Sequence, residues 1–93
     1  MIPQTTKQFI DSLIDYYINE AASYKQLAIT CSDQGVDLTS TTYGIIVGCV
    51  YSGFLQAYLN QKLKPSLEDT QEFTKIVKSR AAQIKISIIE AKL

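Results

Sequence analysis

Six tyrosines are many for a chain without tryptophan, and four of them pair at heptad spacing: Tyr17 with Tyr24, and Tyr51 with Tyr58. On a helix that spacing puts both members of a pair on one face. A tyrosine combines a large apolar ring with a polar tip. Such pairs suit the rim of a helical core, a protein interface, or the wall of a pocket for an amphipathic small molecule. The rim explains them most simply; as a possible ligand pocket, Tyr17, Tyr24, Tyr51 and Tyr58 form the candidate set.

The other chemistry-bearing groups are sparse. Asp11 and Asp15 share a helical face near Glu20, a spacing that suits a divalent cation or acid–base work only when the carboxylates are buried together. They lie on the most polar side of their segment, where solvated charge is expected. The loop Asp33-Gln34-Gly35-Val36-Asp37-Leu38-Thr39 offers oxygens at alternate positions but lacks the EF-hand order and its acidic twelfth residue. Turn formation and capping account for it more simply. Cys31 and Cys49 form no CxxC pair and read as buried, free thiols in a reducing compartment. With no histidine anywhere, the Ser-His-Asp triad, the Cys-His dyad and the common zinc sites are excluded. No glycine-rich phosphate loop is present. The expectation is a protein with no catalytic residues, no metal and no cofactor.

Charge narrows the partners. Nine Lys+Arg balance nine Asp+Glu, and the lysines of the C-terminal third have acidic neighbours and no interleaved aromatics, so nucleic acid is not an expected partner. Met1-Ile2-Pro3-Gln4-Thr5-Thr6-Lys7 shows neither the apolar run of a secretory signal nor an Arg-rich transit pattern, which points to the cytoplasm. The 93 residues amount to one small domain, spanning 1–93.

The elements that must position these groups are helices. Thr5 followed by Gln8 reads as a capping box, and Ile10, Ile14, Tyr17, Ala21, Tyr24, Ala28 and Cys31 then recur at alternating four- and three-residue steps, widened by Phe9 and Leu13. Gly35 suits a left-handed C-cap. Thr39-Ser40-Thr41-Thr42 supplies N-cap candidates for a second helix reaching Leu63, although Ile45-Ile46-Val47 and Val50-Tyr51 are also strong strand formers. Pro65 closes that segment and Ser66 opens a third, with Glu68, Asp69 and Glu72 near its positive end. Its apolar stripe is Phe73, Val77, Ala81, Ile84, Ile88 and Ala91, broadened by Ile76, Ile86, Ile89 and Leu93. The sequence thus predicts an all-α, three-helix antiparallel bundle with helices at about 5–33, 40–63 and 66–92, completed by dimerisation or higher oligomerisation.

That last expectation comes from the middle helix. From Leu38 through Gln61 no residue is charged. A helix wheel puts Gly44, Gly48, Tyr51, Ser52, Leu55, Tyr58 and Leu59 on or beside one side, with Ile46, Val47, Val50, Phe54 and Ala57 broadly opposite. A helix apolar nearly all round is buried nearly all round. Two helices of the same chain cover only part of it, which predicts a subunit interface at the first set. A membrane span competes, with Gly44-xxx-Gly48-xxx-Ser52 as a small-residue packing motif. However, Tyr43 to Leu59 sits at the roughly 17-residue lower limit, and Ser52, Gln56 and three glycines dilute it. Charge placement agrees with opposed helices. Residues 1–40 hold two lysines against five acids, a net −3, and residues 60–93 hold seven cations against four acids, a net +3.

Two local likenesses complete the reading. Tyr58-Leu59-Asn60-Gln61-Lys62-Leu63-Lys64-Pro65-Ser66 resembles the helix–Lys–Pro–helix junction of bacteriocin immunity proteins, small cytosolic helical bundles, over about a tenth of the chain. Tyr51-Ser52-Gly53 is similar to the WXG turn of small secreted helical-hairpin proteins, with tyrosine in place of tryptophan and a pattern that continues rather than turns. Neither assigns the chain to a family. The expected function is non-enzymatic: an adaptor, inhibitor or subunit of an assembly that acts by protein–protein contact and self-associates through the middle helix. A small-molecule carrier with a tyrosine-lined pocket, an immunity-like bundle and a single-span membrane protein are the alternatives.

Overall fold

The computed structural model describes residues 1–93 and is entirely helical. Four helices form, not three: α1 (Gln4–Asn19), α2 (Ala21–Cys31), α3 (Leu38–Asn60) and α4 (Leu67–Glu90). The expected first helix is divided at Glu20, whose φ of −101° and ψ of 17° leave the α region. The division lets both halves lie against α3 and α4, and it places the small residue Ala21 in the core at the bend. The bundle measures 40 × 22 × 19 Å, its long dimension set by α4, whose 24 residues rise about 36 Å.

The core is a single column. Ile10 and Ile14 of α1, Ile46, Val50 and Phe54 of α3, and Ile84 and Ile88 of α4 are all essentially inaccessible. Phe54 stacks on Phe73 with ring centroids 4.7 Å apart and touches Tyr58 at 5.0 Å. Ile2, ahead of the first helix, also enters the core. Three residues expected to widen the α4 stripe do not: Ile86, Ile89 and Leu93 are exposed, because the core-facing arc is filled by Phe73, Val77, Ile84 and Ile88. The two thiols are free as expected but not buried: Cys31, at the end of the α2 seam, is exposed and Cys49 is half-buried.

The helix ends show which local signals won. Ser66 caps α4 with a complete capping box: its hydroxyl accepts from the Asp69 N–H, and the Asp69 carboxylate accepts from the Ser66 N–H, each at 3.0 Å. Thr5 does not cap α1. The helix already includes Gln4, and Pro3 occupies the cap position without a side-chain bond. At α3 the cap is Asp37 rather than the Thr/Ser cluster, its carboxylate accepting from the Ser40 N–H at 3.2 Å. α3 stops at Asn60, short of Leu63. Lys62 turns left-handed (φ 59°), and the N–H groups of Lys62 and Leu63 bond to Leu59 and Tyr58, a Schellman closure. Gly35 does take a positive φ of 90°, but in the loop beyond α2 rather than at the cap itself.

Long-range polar contacts tie the helices together. Lys25 Nζ donates to the carbonyls of Ile88 (2.9 Å) and Ala91 (3.1 Å), satisfying the negative end of α4. Arg80 of α4 reaches Asp11 (Nη1 to Oδ1, 3.5 Å) and pairs with Asp15, so that carboxylate pair is held by a guanidinium. At the opposite end the Ile2 N–H donates to Glu72 Oε1 at 2.7 Å, Lys7 pairs with Glu72 at 2.7 Å, and the Met1 ammonium lies 3.0 Å from Asp69.

These contacts set the response to acid. The Ser66 N–H, then the Met1 ammonium and the Ser66 hydroxyl, hold the Asp69 carboxyl down at about 2. The Ile2 N–H and then Lys7 lower Glu72. Both groups have folded-state values below their unfolded ones, so their contribution is complete above about pH 5 and is lost as pH falls toward about 2. Urea midpoints taken from pH 6 down to pH 2 are expected to fall, and Asp69→Asn is expected to flatten that fall. An unchanged acid limb in Asp69→Asn would remove Asp69 from the account.

Candidate protein interface

α3 is positioned by its buried arc, Thr42, Ile46, Val50, Phe54 and Tyr58, at uniform steps of four down one side. Thr42 is inaccessible, yet its hydroxyl is satisfied by the Leu38 carbonyl at 2.8 Å. Fixing that arc inward fixes the opposite one outward. Gly44, Gly48, Tyr51, Ser52, Leu55 and Leu59 are all exposed, and Leu59 retains 64% of its free surface. The full-circle burial expected for this helix is therefore not reached within one chain. One residue of the expected interface is elsewhere: Tyr58 is buried, 5% exposed, packed on Phe54 with its hydroxyl beside the Asp69 carboxylate.

The three glycines of α3 differ in what surrounds them. A Cβ placed on Gly53 would lie 2.5 Å from Leu13 Cδ1, so this glycine admits α1 at close range. At Gly44 and Gly48 nothing lies within 4 Å of such a Cβ. No contact inside the chain calls for glycine at either position, although each costs helix stability by about 1 kcal/mol relative to alanine.

The exposed face extends onto α1. Phe9 and Leu13 pack beside Gly53, and Phe9 and Tyr16, on the same side of α1, are 43% and 53% exposed. Between the two helices lies a shallow groove of about 390 Å³, lined by Phe9, Gly53, Gln56, Ala57, Asn60 and Gln61. The groove lining contains no charged side chain. Gln56 and Asn60 satisfy one another at 2.8 Å.

The four paired tyrosines fall into two groups. Tyr17 and Tyr24 meet edge to face at 5.1 Å beside Cys49, whereas Tyr51 and Tyr58 belong to the Phe54–Phe73 aromatic stack. Desolvation pushes the hydroxyls of Tyr17 and Tyr58 up to about 12, so both stay neutral at ordinary pH. Neither the α1–α3 groove nor the second cavity, at Met1, Glu68, Gln71, Glu72 and Lys75, is lined by a tyrosine. No three Cys, Asp or Glu side chains converge on a point that would hold a metal ion. Phe9, expected to widen the core stripe, lies at the surface instead, and Tyr16, which the sequence reading did not single out, is exposed on the same side of α1.

Comparison with known proteins finds no matching family, no matching curated sequence and no matching solved structure.

Proposed function

We propose that this chain is a non-enzymatic helical interaction protein, an adaptor, inhibitor or assembly subunit, that self-associates through the outer face of α3. The observation that carries the reading is the open, uncharged arc Gly44, Gly48, Tyr51, Ser52, Leu55 and Leu59. Glycines exposed in mid-helix with nothing above them make room for something outside the chain. Contiguous apolar surface of this kind marks an interaction site. The side chains with chemical potential support a non-catalytic role: Asp11 and Asp15 are tied to Arg80, and two of the tyrosines are held neutral.

Light scattering behind a sizing column, without detergent and across a concentration series, tests this. The expected particle has twice the 10.4 kDa chain mass or more, dissociating on dilution. A monodisperse monomer at high concentration would sink the proposal. The second reading rests on α3 itself, which is long and apolar enough to cross a membrane. Material soluble only in detergent would favour it. Against it, the inner arc of α3 is packed on helices bearing Asp11, Asp15, Lys75, Lys78 and Arg80, which are costly to carry into a bilayer.

A further inference from the structure

Building on self-association through α3, we infer that the partner is a second copy of this chain, docked antiparallel about a two-fold axis at the Tyr51–Ser52 peptide. The exposed arc is bulky at one end and hollow at the other: Leu55 and Leu59 project from its C-terminal half, and Gly44 and Gly48 leave its N-terminal half open. The midpoint between Gly48 and Leu55 is the Tyr51–Ser52 peptide, and so is the midpoint between Gly44 and Leu59. One two-fold register therefore seats Leu55 over the partner's Gly48 and Leu59 over the partner's Gly44 at the same time. Isologous docking requires this kind of self-complementarity. Parallel docking sets leucine against leucine and glycine against glycine, which leaves a gap beside a clash.

Charge selects the same direction. The chain enters α3 through Asp33 and Asp37 and leaves it through Lys62 and Lys64, all exposed. Antiparallel docking brings the acidic entry of one copy to the basic exit of the other, and it opposes the helix dipoles; parallel docking stacks like on like. Size sets the extent. A 23-residue helix is about 34 Å long, and a strip about 10 Å wide along it covers on the order of 350 Å² per copy. Specific interfaces bury about 1,200–2,000 Å² in total. The α3 strip alone falls short, so the interface takes in the exposed Phe9 and Tyr16 on the α1 flank.

Cysteine pairing tests the register. In chains carrying Cys31→Ser and Cys49→Ala, Gly44→Cys is mixed with a mass-tagged Leu59→Cys chain and mildly oxidised. The mixed 44–59 disulfide is expected to exceed either homodisulfide about tenfold. Dominant 44–44 and 59–59 products in a particle of dimer mass would overturn the antiparallel register while leaving self-association intact; monomer mass throughout would end both. A thiol-free readout uses otherwise native chains. Gly48→Leu is expected to raise the dimer dissociation constant at least tenfold, because the partner's Leu55 loses its seat. The exchange Gly48→Leu with Leu55→Gly keeps one leucine and one glycine in the helix and is expected to restore the dimer. Failure of the exchanged chain to dimerise, with its helicity intact, would overturn the Leu55–Gly48 pairing.

Discussion

Phe54→Ala is expected to remove about 3–5 kcal/mol of stability, most of what the chain has at 25 °C. Phe54 is wholly inaccessible at the middle of the core column, stacked on Phe73 at 4.7 Å and against Tyr58 at 5.0 Å. Truncation strips the ring from all of these contacts at once. Rigid helices on three sides leave little room for the site to collapse, so the cavity cost adds to the lost transfer energy. A chain of 93 residues has a total stability on the order of 5–14 kcal/mol, and one with only 16 buried residues belongs toward the lower end. Phe54→Leu, which keeps most of the volume, is expected to cost roughly 1–1.5 kcal/mol. Urea unfolding followed by circular dichroism separates the two. A loss below about 1.5 kcal/mol for Phe54→Ala would mean that the core is not centred on this ring.

The alternation of apolar positions made that column readable in advance. Ile10, Ile14, Ala21, Ala28, Phe73, Val77, Ile84 and Ile88 all lie on the stripes their spacing predicts, and each is buried. The Ser66 signal was equally legible because a capping box is a contact between residues three apart. What escaped the sequence depends on neighbours distant along the chain. No glycine or proline marks Glu20, and the bend there follows from α1 and α2 each packing on α3 and α4. Thr5 has every local qualification as a cap, but Ile2 is drawn into the core and its N–H goes to Glu72, so the helix starts earlier. Tyr58 and Leu59 lie about 100° apart on the wheel, and the side of α3 that packs on Phe54 and faces Asp69 of α4 takes the tyrosine and leaves the leucine outside. For the interface the uncharged run was visible in sequence. The difference between Gly53, which admits Leu13, and Gly44 and Gly48, which face open space, became visible only with the chain folded.

That difference yields a result of opposite sign to most core substitutions. Gly44→Ala together with Gly48→Ala is expected to stabilise the isolated chain by about 1–2 kcal/mol, because each alanine removes backbone entropy from the unfolded state and meets nothing in the folded one. For a domain of this size that is a rise of roughly 5–10 °C in Tm, read at concentrations too low for association. The same two methyl groups lie where the partner's leucines are seated, so the doubly substituted chain is expected to associate more weakly while folding more firmly. Gly53→Ala provides the contrast. Its Cβ meets the mobile end of Leu13, which must turn aside, and the helix-propensity gain is offset to leave a change near zero. If the double alanine chain were stabilised with its mass in solution unchanged, Gly44 and Gly48 would lie outside the contact. If it were destabilised, the open space above them would not exist. A firmer fold with a looser assembly is the pair of outcomes that identifies these glycines as kept for a neighbour and not for the bundle.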